Sequence, residues 1–346
     1  MKDMVMQGTK LNNETKTLIL DEIISRYAVS NQAENKSPST VRWYNDMLRS
    51  FSDYMKRTQD SCILNYFTTD IVRGYIIFLR QKPKFQGHPC TPEQTTLLSP
   101  KTLQGHVRAL KAFSSWLYAD GYTEENVLSN LKMPKAPVKL MEPLTPDEIS
   151  RVIGSIDRNT LTGARNYAML VTLLDTGLRA SELANITLGN LDLTEGFIKV
   201  MGKGSKERIV PVGKFVRMTL WNYIERIRPR YGVSDNDYLF LALRGKPMLV
   251  NTVKLLFSRL AKVSGVKRLH AHLCRHTFAI NYLMNGGDIF SLREILGHTT
   301  LEMVNHYLRF TSSQITAQHH KFSPMDKLQG GVEEDNKQNH SSKLIP

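Results

Sequence analysis

Four short stretches concentrate side chains able to hold an anion or move a proton. They are Thr176-Gly177-Leu178-Arg179-Ala180-Ser181-Glu182-Leu183, Gly202-Lys203-Gly204-Ser205-Lys206-Glu207-Arg208, His272-Leu273-Cys274-Arg275-His276, and Leu296-Gly297-His298 followed by Tyr307. Arg179 follows Gly177 just past an apolar helix, where the chain can turn and project a side chain, and Glu182 stands three residues on, within reach to orient it. The alternative is an exposed arginine in an ordinary surface pair. Lys203 falls between two glycines at the tip of a hairpin, aimed either at a ligand or at solvent. No helix follows those glycines, so a phosphate-cradling GxGxxG loop is excluded. His272 and Arg275 share one helix face, with His276 on the same side. The i, i+4 histidine pair is compatible with zinc, but there is no HExxH glutamate and no third ligand.

His298 and Tyr307 are nine residues apart, which on one helix turning about 100° per residue would set them on opposite faces. Gly297 breaks the preceding helix, and Thr299 with Glu302 forms a capping box that starts a new one. His298 then lies in a turn and Tyr307 near the end of the next helix, free to converge. Read alone, Tyr307 is an interface tyrosine.

The elements that must position these groups follow from periodicity and caps. A helix is expected from Thr15 to about Ala28. Ser37-Pro38-Ser39-Thr40 caps a second, whose face is Val41, Tyr44, Leu48, Phe51 and Met55. Thr69-Asp70 opens a third, with Val72, Tyr75, Ile76 and Leu79 apolar, and Ser99-Pro100 a fourth, with Leu103, Val107, Leu110, Phe113 and Leu117. Residues 83–99 read as a long polar loop. The result is a four-to-five-helix bundle over residues 15–132, preceded by a loose segment 1–14. Residues 133–142, containing Met133-Pro134-Lys135-Ala136-Pro137-Val138-Lys139, are the linker.

A second domain, 143–318, opens on Leu144-Thr145-Pro146-Asp147-Glu148 and continues as one buried helix through Leu174. Residues 197–201 and 208–212 are β-rich and form a hairpin. Helices are expected over about 214–228, 249–263, 272–284, 288–296 and 299–309. Residues 319–346 are a polar tail. The fold class is therefore mainly α with a small antiparallel β-sheet.

Composition limits the function classes. The 346 residues carry 46 Lys+Arg against 32 Asp+Glu, a net charge of +14. Residues 1–140 hold 19 basic and 13 acidic side chains, residues 141–318 hold 23 and 15, and residues 319–346 hold four of each. A positive excess over both domains suits a long anionic partner such as duplex DNA, with solubility the alternative. No apolar run approaches the ~18–20 residues of a membrane helix, and Tyr167–Leu174 is among the longest. The first residues lack the apolar core of a secretory leader. Cys62, Cys90 and Cys274 form neither a disulfide framework nor a CxxC site. These features point to a soluble protein of a reducing, cytoplasmic compartment, with no membrane partner.

In order and spacing, Arg179, Lys203, His272, Arg275, His298 and Tyr307 closely resemble the active-site set of the tyrosine recombinase (phage integrase) family. The resemblance spans about residues 15–318 and is nearest the two-domain, Xer-like members. One departure is Cys274, where the family commonly has Leu in His-x-Leu-Arg-His; both are apolar. The segment 82–99 is another, being longer than usual.

The resemblance implies an N-terminal helical bundle plus a tyrosine-recombinase catalytic domain, forming a C-shaped clamp on duplex DNA. It implies cleavage through a 3′-phosphotyrosyl link to Tyr307. Arg179 and Arg275 would hold the non-bridging oxygens, Lys203 would protonate the leaving 5′ oxygen, His272 would act as base, and His298 would bond the phosphate. Glu182 and His276 would support them from behind. Lys101, Arg108, Lys111, Lys135 and Lys139 are candidate DNA contacts. Neither cofactor nor metal is implied. The implied assembly is a homotetramer on paired sites, open to an accessory or partner recombinase and acting at the nucleoid, with Thr311–His320 or the tail docking on a neighbour. The long 82–99 loop and the tail favour the integrase or transposon recombinase of a mobile element, and a Xer-type dimer resolvase is the alternative. Type IB topoisomerase-like relaxation, a non-catalytic DNA-binding protein and a zinc protein are the competing classes.

Overall fold

The computed structural model describes residues 18–59, 62–87, 91–137, 141–202, 207–232, 237–297 and 323. The chain divides into two units between Lys139 and Leu140.

The first unit is built on four helices: α1 (Leu20–Ala33), α2 (Pro38–Thr58), α3 (Thr69–Gln81) and α4 (Pro100–Ala119). Ser37, Thr68 and Ser99 cap the last three by accepting from backbone N–H groups of the first turn, and Pro38 and Pro100 occupy the position where no N–H is needed. The apolar faces expected of α3 and α4 are buried in full. On α2, Val41, Leu48, Phe51 and Met55 are buried, while Tyr44 lies half-buried at the edge of the core. Aromatic edges interlock at the centre, with Phe51 5.2 Å from Tyr75 and Phe67 5.7 Å from Phe113.

Two expectations shift here. Helix α1 begins later and ends later than the Thr15–Ala28 reading, because Leu18–Leu20 is held extended against Cys62–Leu64 by Leu20 N→Cys62 O (3.0 Å) and Leu64 N→Leu18 O (2.9 Å). The 83–99 loop has paired stems. Pro83 bridges Leu97, and Lys84 N donates to Thr96 O at 2.9 Å.

The second unit contains α5 (Pro146–Gly154), α6 (Leu161–Thr176), α7 (Ala180–Ala184), strands β1 (Leu191–Asp192), β2 (Phe197–Met201) and β3 (Glu207–Pro211), then α8 (Lys214–Asn222), α9 (Val250–Val263), α10 (Ala271–Met284) and α11 (Ile289–Leu296). The sheet is antiparallel in the order β1-β2-β3, with Lys199 opposite Ile209. The two-residue β1 adds a strand to the expected hairpin. The single helix read through Leu174 is two helices. Asp157 O accepts from Thr160 Oγ1 at 2.8 Å, and Thr160 caps α6 by accepting from Gly163 N at 3.0 Å. Gly163 is required there, since a Cβ would lie 1.8 Å from Asp157 O. The helix expected over 214–228 ends at Asn222 and passes into a π turn and a 3-10 turn at Pro229. Helices α6, α10 and α9 enclose a core of Met169, Leu173, Phe257, Leu273 and Cys274. No described helix is long and apolar enough to cross a membrane.

The expectation that Lys111 meets DNA is corrected. Its Nζ donates to the carbonyls of Leu128, Ser129 and Leu131 at 3.0, 3.0 and 2.8 Å, so all three ammonium donors close the turn after α4. Lys111→Met is expected to destabilise the protein by about 2 kcal/mol, read from chemical denaturation. A change within a few tenths of a kcal/mol would contradict that anchoring role.

Candidate active site

The site is built around the exit of α6 and the start of α10. Gly177 ends α6 in the left-handed conformation (φ 62°), with its N–H on Leu173 O at 3.1 Å. A side chain is excluded there twice over. The φ is unfavourable to other residues, and a Cβ would sit 2.4 Å from Phe278 and 2.9 Å from Leu296. The sharp turn places Arg179 at the head of α7.

Arg179 is one-third exposed and Glu182 is buried. Glu182 is no surface partner but the centre of an ion cluster. Its Oε1 accepts from Arg179 Nη1 at 2.7 Å and Arg208 Nη1 at 2.9 Å, and its Oε2 from Arg179 N and Arg208 Nη2, both at 2.8 Å. Burial pushes the Glu182 carboxyl up. The Arg208 fork, the Arg179 N–H and both positive charges override it and hold the pKa at about 2. Arg179 keeps one-third of its side chain exposed while its Nη1 is bound to Glu182.

Arg275 is the largest fully buried side chain among the described residues. Its Nη1 donates to Gly177 O at 2.8 Å and its Nη2 to Leu296 O at 2.7 Å. One guanidinium thus joins the last residue of α6's turn to the last residue of α11, from a seat on α10. His272 lies at the exposed start of α10, after His270, whose Nδ1 accepts from Leu273 N at 2.9 Å. Partial burial lowers the His272 pKa, and the charges of Arg275, His270 and Arg179 lower it further, which favours the uncharged imidazole. His272 and Arg275 stand three residues apart on α10, and Arg275 reaches the carbonyl of Gly177, two residues before Arg179.

His276 turns away. Its Nε2 bonds Met141 O, and beside it Thr277 Oγ1 accepts from Leu144 N at 2.9 Å. Arg268 completes the anchor with Glu142 O (2.6 Å), Pro143 O (2.8 Å) and Glu148 (3.0 Å to Oε1). His276 therefore fixes the lead-in segment of this unit onto α10 and does not face His272 as a second metal ligand. Among the described residues no cluster of three or more His, Cys, Asp or Glu could hold a metal. Cys274 is buried in the core with its thiol pushed up to about 12, an inert apolar filler.

Lys203, His298 and Tyr307 lie outside the described residues, as do Lys139, the helix expected over 299–309, the Thr311–His320 segment and all of the 319–346 tail except the buried Ser323. The elements leading to the first two are in place: β2 and β3 flank the Lys203 loop, and α11 ends in a left-handed Gly297 (φ 63°) directly before His298. In the first unit, Lys101 and Arg108 are exposed two turns apart on α4, and Lys135 is exposed in the segment that Gln104 Nε2 holds through Pro134 O at 2.8 Å.

Sequence reasoning missed Arg208. Besides its fork on Glu182, its Nε donates to Ile295 O at 2.8 Å, and its stem lies 3.0 Å from where a Cβ on Gly297 would be. The one available signal is a lone arginine in a β-rich run whose neighbours alternate towards the core.

Two family models match the chain. Residues 142–314 match the phage integrase family, and residues 22–133 match the phage integrase SAM-like domain. The tyrosine recombinase XerD of Listeria monocytogenes is 30% identical over 291 residues, 83% of this chain and 93% of that one. XerD of Staphylococcus aureus is 31% identical over 308 residues, 88% and 99%.

The chain belongs to the phage integrase (tyrosine recombinase) family. Among solved structures, the Tn1549 transposon integrase in complex with transposon right end DNA superposes with a TM-score of 0.70 at 20% identity, covering 88% of this chain and all of that one. The XerH site-specific recombinase bound to its palindromic difH substrate gives 0.66 at 20% identity, covering 87% and 84%. Both show the shared fold of this recombinase family.

The charges on this site set a pH dependence. The His272 titration midpoint, followed by the NMR shift of its Cε1 proton, is expected below pH 6.5. It is expected to rise in Arg179→Gln, because removing a nearby positive charge favours the imidazolium. A midpoint unmoved by the substitution would contradict the juxtaposition.

Proposed function

We propose that this recombinase cuts and rejoins duplex DNA through Tyr307. In the forward step the Tyr307 oxygen bonds the scissile phosphorus and the bond from phosphorus to the 5′ oxygen breaks. The phenolic proton passes to His272, and Lys203 supplies a proton to the leaving 5′ oxygen. Lysine suits that acid role, because arginine does not release a proton at neutral pH. Arg179 and Arg275 neutralise the charge that builds on the non-bridging oxygens, and His298 donates to the phosphate. The 3′-phosphotyrosyl link conserves the energy of the broken bond, so rejoining to another 5′-hydroxyl needs no nucleotide cofactor. Two guanidinium groups and an ammonium supply the positive charge, so no metal enters the scheme.

The observation that carries this reading is a shared seat for two arginines: Arg275 donates to Gly177 O, in the turn that presents Arg179 from its Glu182 anchor, with His272 three residues before Arg275 on α10. That is a site for an oxyanion with a base beside it. A DNA-binding protein without catalysis has no use for a histidine so placed.

Lys101, Arg108 and Lys135 are proposed to contact the phosphate backbone. Lys101 and Arg108 share a face of α4 with Gln104, whose bond to Pro134 O brings Lys135 beside them. Such contacts position the protein without selecting sequence. We further propose that the chain acts as a homotetramer on paired sites, with Thr311–His320 or the tail as the contact between copies. The paired sites are either the ends of a mobile element or chromosomal dimer-resolution sites. The DNA that supports cleavage distinguishes them.

The test is a suicide substrate, a target duplex nicked so that the 5′-hydroxyl fragment diffuses away. Wild type is expected to trap a denaturant-stable protein–DNA adduct, and Tyr307→Phe to trap none while still binding the DNA. An equal adduct in Tyr307→Phe would refute the assignment of the nucleophile. Efficient relaxation of a plasmid lacking paired sites would favour the topoisomerase-like alternative.

A further inference from the structure

We infer that Arg208 is a positioning residue for the cleavage step: it fixes the Glu182 carboxylate that in turn aims Arg179 at the phosphate. The inference rests on the reading of Arg179 given above.

The geometry separates Arg208 from an ordinary structural arginine. Its side chain is only 11% exposed, and three of its five donors are accounted for, two on Glu182 and one on Ile295 O. Glu182 is reached from both sides, and each of its oxygens accepts one bond from Arg208 and one from Arg179. The planar fork of Arg208 therefore sets the plane of the carboxylate, and the plane of the carboxylate sets the direction of the Arg179 head group.

The chemistry points the same way. An ion triad with a buried carboxylate and a buried guanidinium is a poor device for stability alone, because desolvating those two charges costs about as much as their attraction returns. What the arrangement supplies is orientation. Among the groups that hold Glu182 ionised against its burial, Arg208 contributes the largest share, ahead of the Arg179 side chain. Without Arg208 the carboxyl would gain a proton more readily and lose the flat, doubly bonded seat that aligns Arg179. The same guanidinium grips Ile295 O, two residues before Gly297, so β3, α7 and the end of α11 are set by a single side chain.

Arg208 does not touch the reacting phosphate in this scheme, so its effect must pass through the charge that Arg179 neutralises. That gives a readout which general loosening of the fold would not move. Single-turnover cleavage by wild type, Arg208→Met and Arg208→Lys is measured on saturating nicked target DNA. One substrate carries an ordinary scissile phosphate. The other carries a methylphosphonate there, whose missing negative charge makes Arg179 less necessary.

On phosphate, Arg208→Met is expected to cleave about 100-fold more slowly than wild type, with DNA affinity changed by less than about 3-fold. Arg208→Lys, which keeps the charge but cannot form the fork, is expected to be nearly as slow. On methylphosphonate the deficit is expected to shrink to about 10-fold or less. Glu182→Gln should show the same shrinkage, and its combination with Arg208→Lys should fall short of the product of the two single effects. Glu182→Gln also carries the test if Arg208→Met does not fold by near-UV circular dichroism. Equal deficits on the two substrates, or variants within about 3-fold of wild type on phosphate, would overturn the inference. A wild-type chain that forms no adduct would remove the underlying reading and this inference together.

Discussion

A guanidinium taken out of water must give its protons to acceptors in the protein, and that requirement on Arg275 organises the catalytic unit. Arg275 sits in the second turn of α10 with almost no exposure, and two of its N–H groups go to carbonyls from different parts of the chain, Gly177 O and Leu296 O. Each acceptor ends a helix, and each adjoins a left-handed glycine or is one itself. The turn that releases Arg179 and the turn that releases His298 are thus tied to one side chain. The close approach of Phe278 and Leu296 to Gly177 locks the arrangement from the apolar side. Positive charge is held at this turn because the fold itself uses it there.

Glu182 forms the counterweight. Two arginines at one site repel each other and would splay apart in water. A buried carboxylate between Arg179 and Arg208 turns repulsion into geometry while leaving the Arg179 side chain one-third exposed. Partial burial and the nearby positive charges lower the His272 pKa. The lead-in segment 141–148 is pinned to the same α10 through His276, Thr277 and Arg268. The helix that carries His272 therefore also carries the start of the domain.

Much of the framework was legible in the sequence because it is local. The 3.6-residue spacing of Leu103, Val107, Leu110, Phe113 and Leu117 has one solution, a helix with one buried face. Ser37, Ser99 and Thr145 announce their helices by cap chemistry that acts within three residues. Arg179, His272 and Arg275 are legible as an ordered set rather than one by one. What escapes reading depends on distant partners. Lys111 looks like any exposed helix lysine until carbonyls 17–20 residues later close on it. Arg208 reaches Glu182 across 26 residues and Ile295 across 87. The break between α5 and α6 is hidden because Ile156 keeps the apolar rhythm through a turn made by Asp157, Thr160 and Gly163. Helical spacing sets His276 beside His272, yet burial and the Met141 carbonyl draw it inward.

Everything proposed for the chemistry depends on where a scissile phosphate binds. A crystal structure of the Tyr307→Phe protein on nicked target DNA would show it. The expected result is non-bridging oxygens within hydrogen-bond distance of Arg179 and Arg275, with His272 beside the aromatic ring at position 307 and the Glu182–Arg208 fork intact. A phosphate seated away from Arg179, or an Arg275 whose donors are all spent on protein carbonyls, would contradict the assignment.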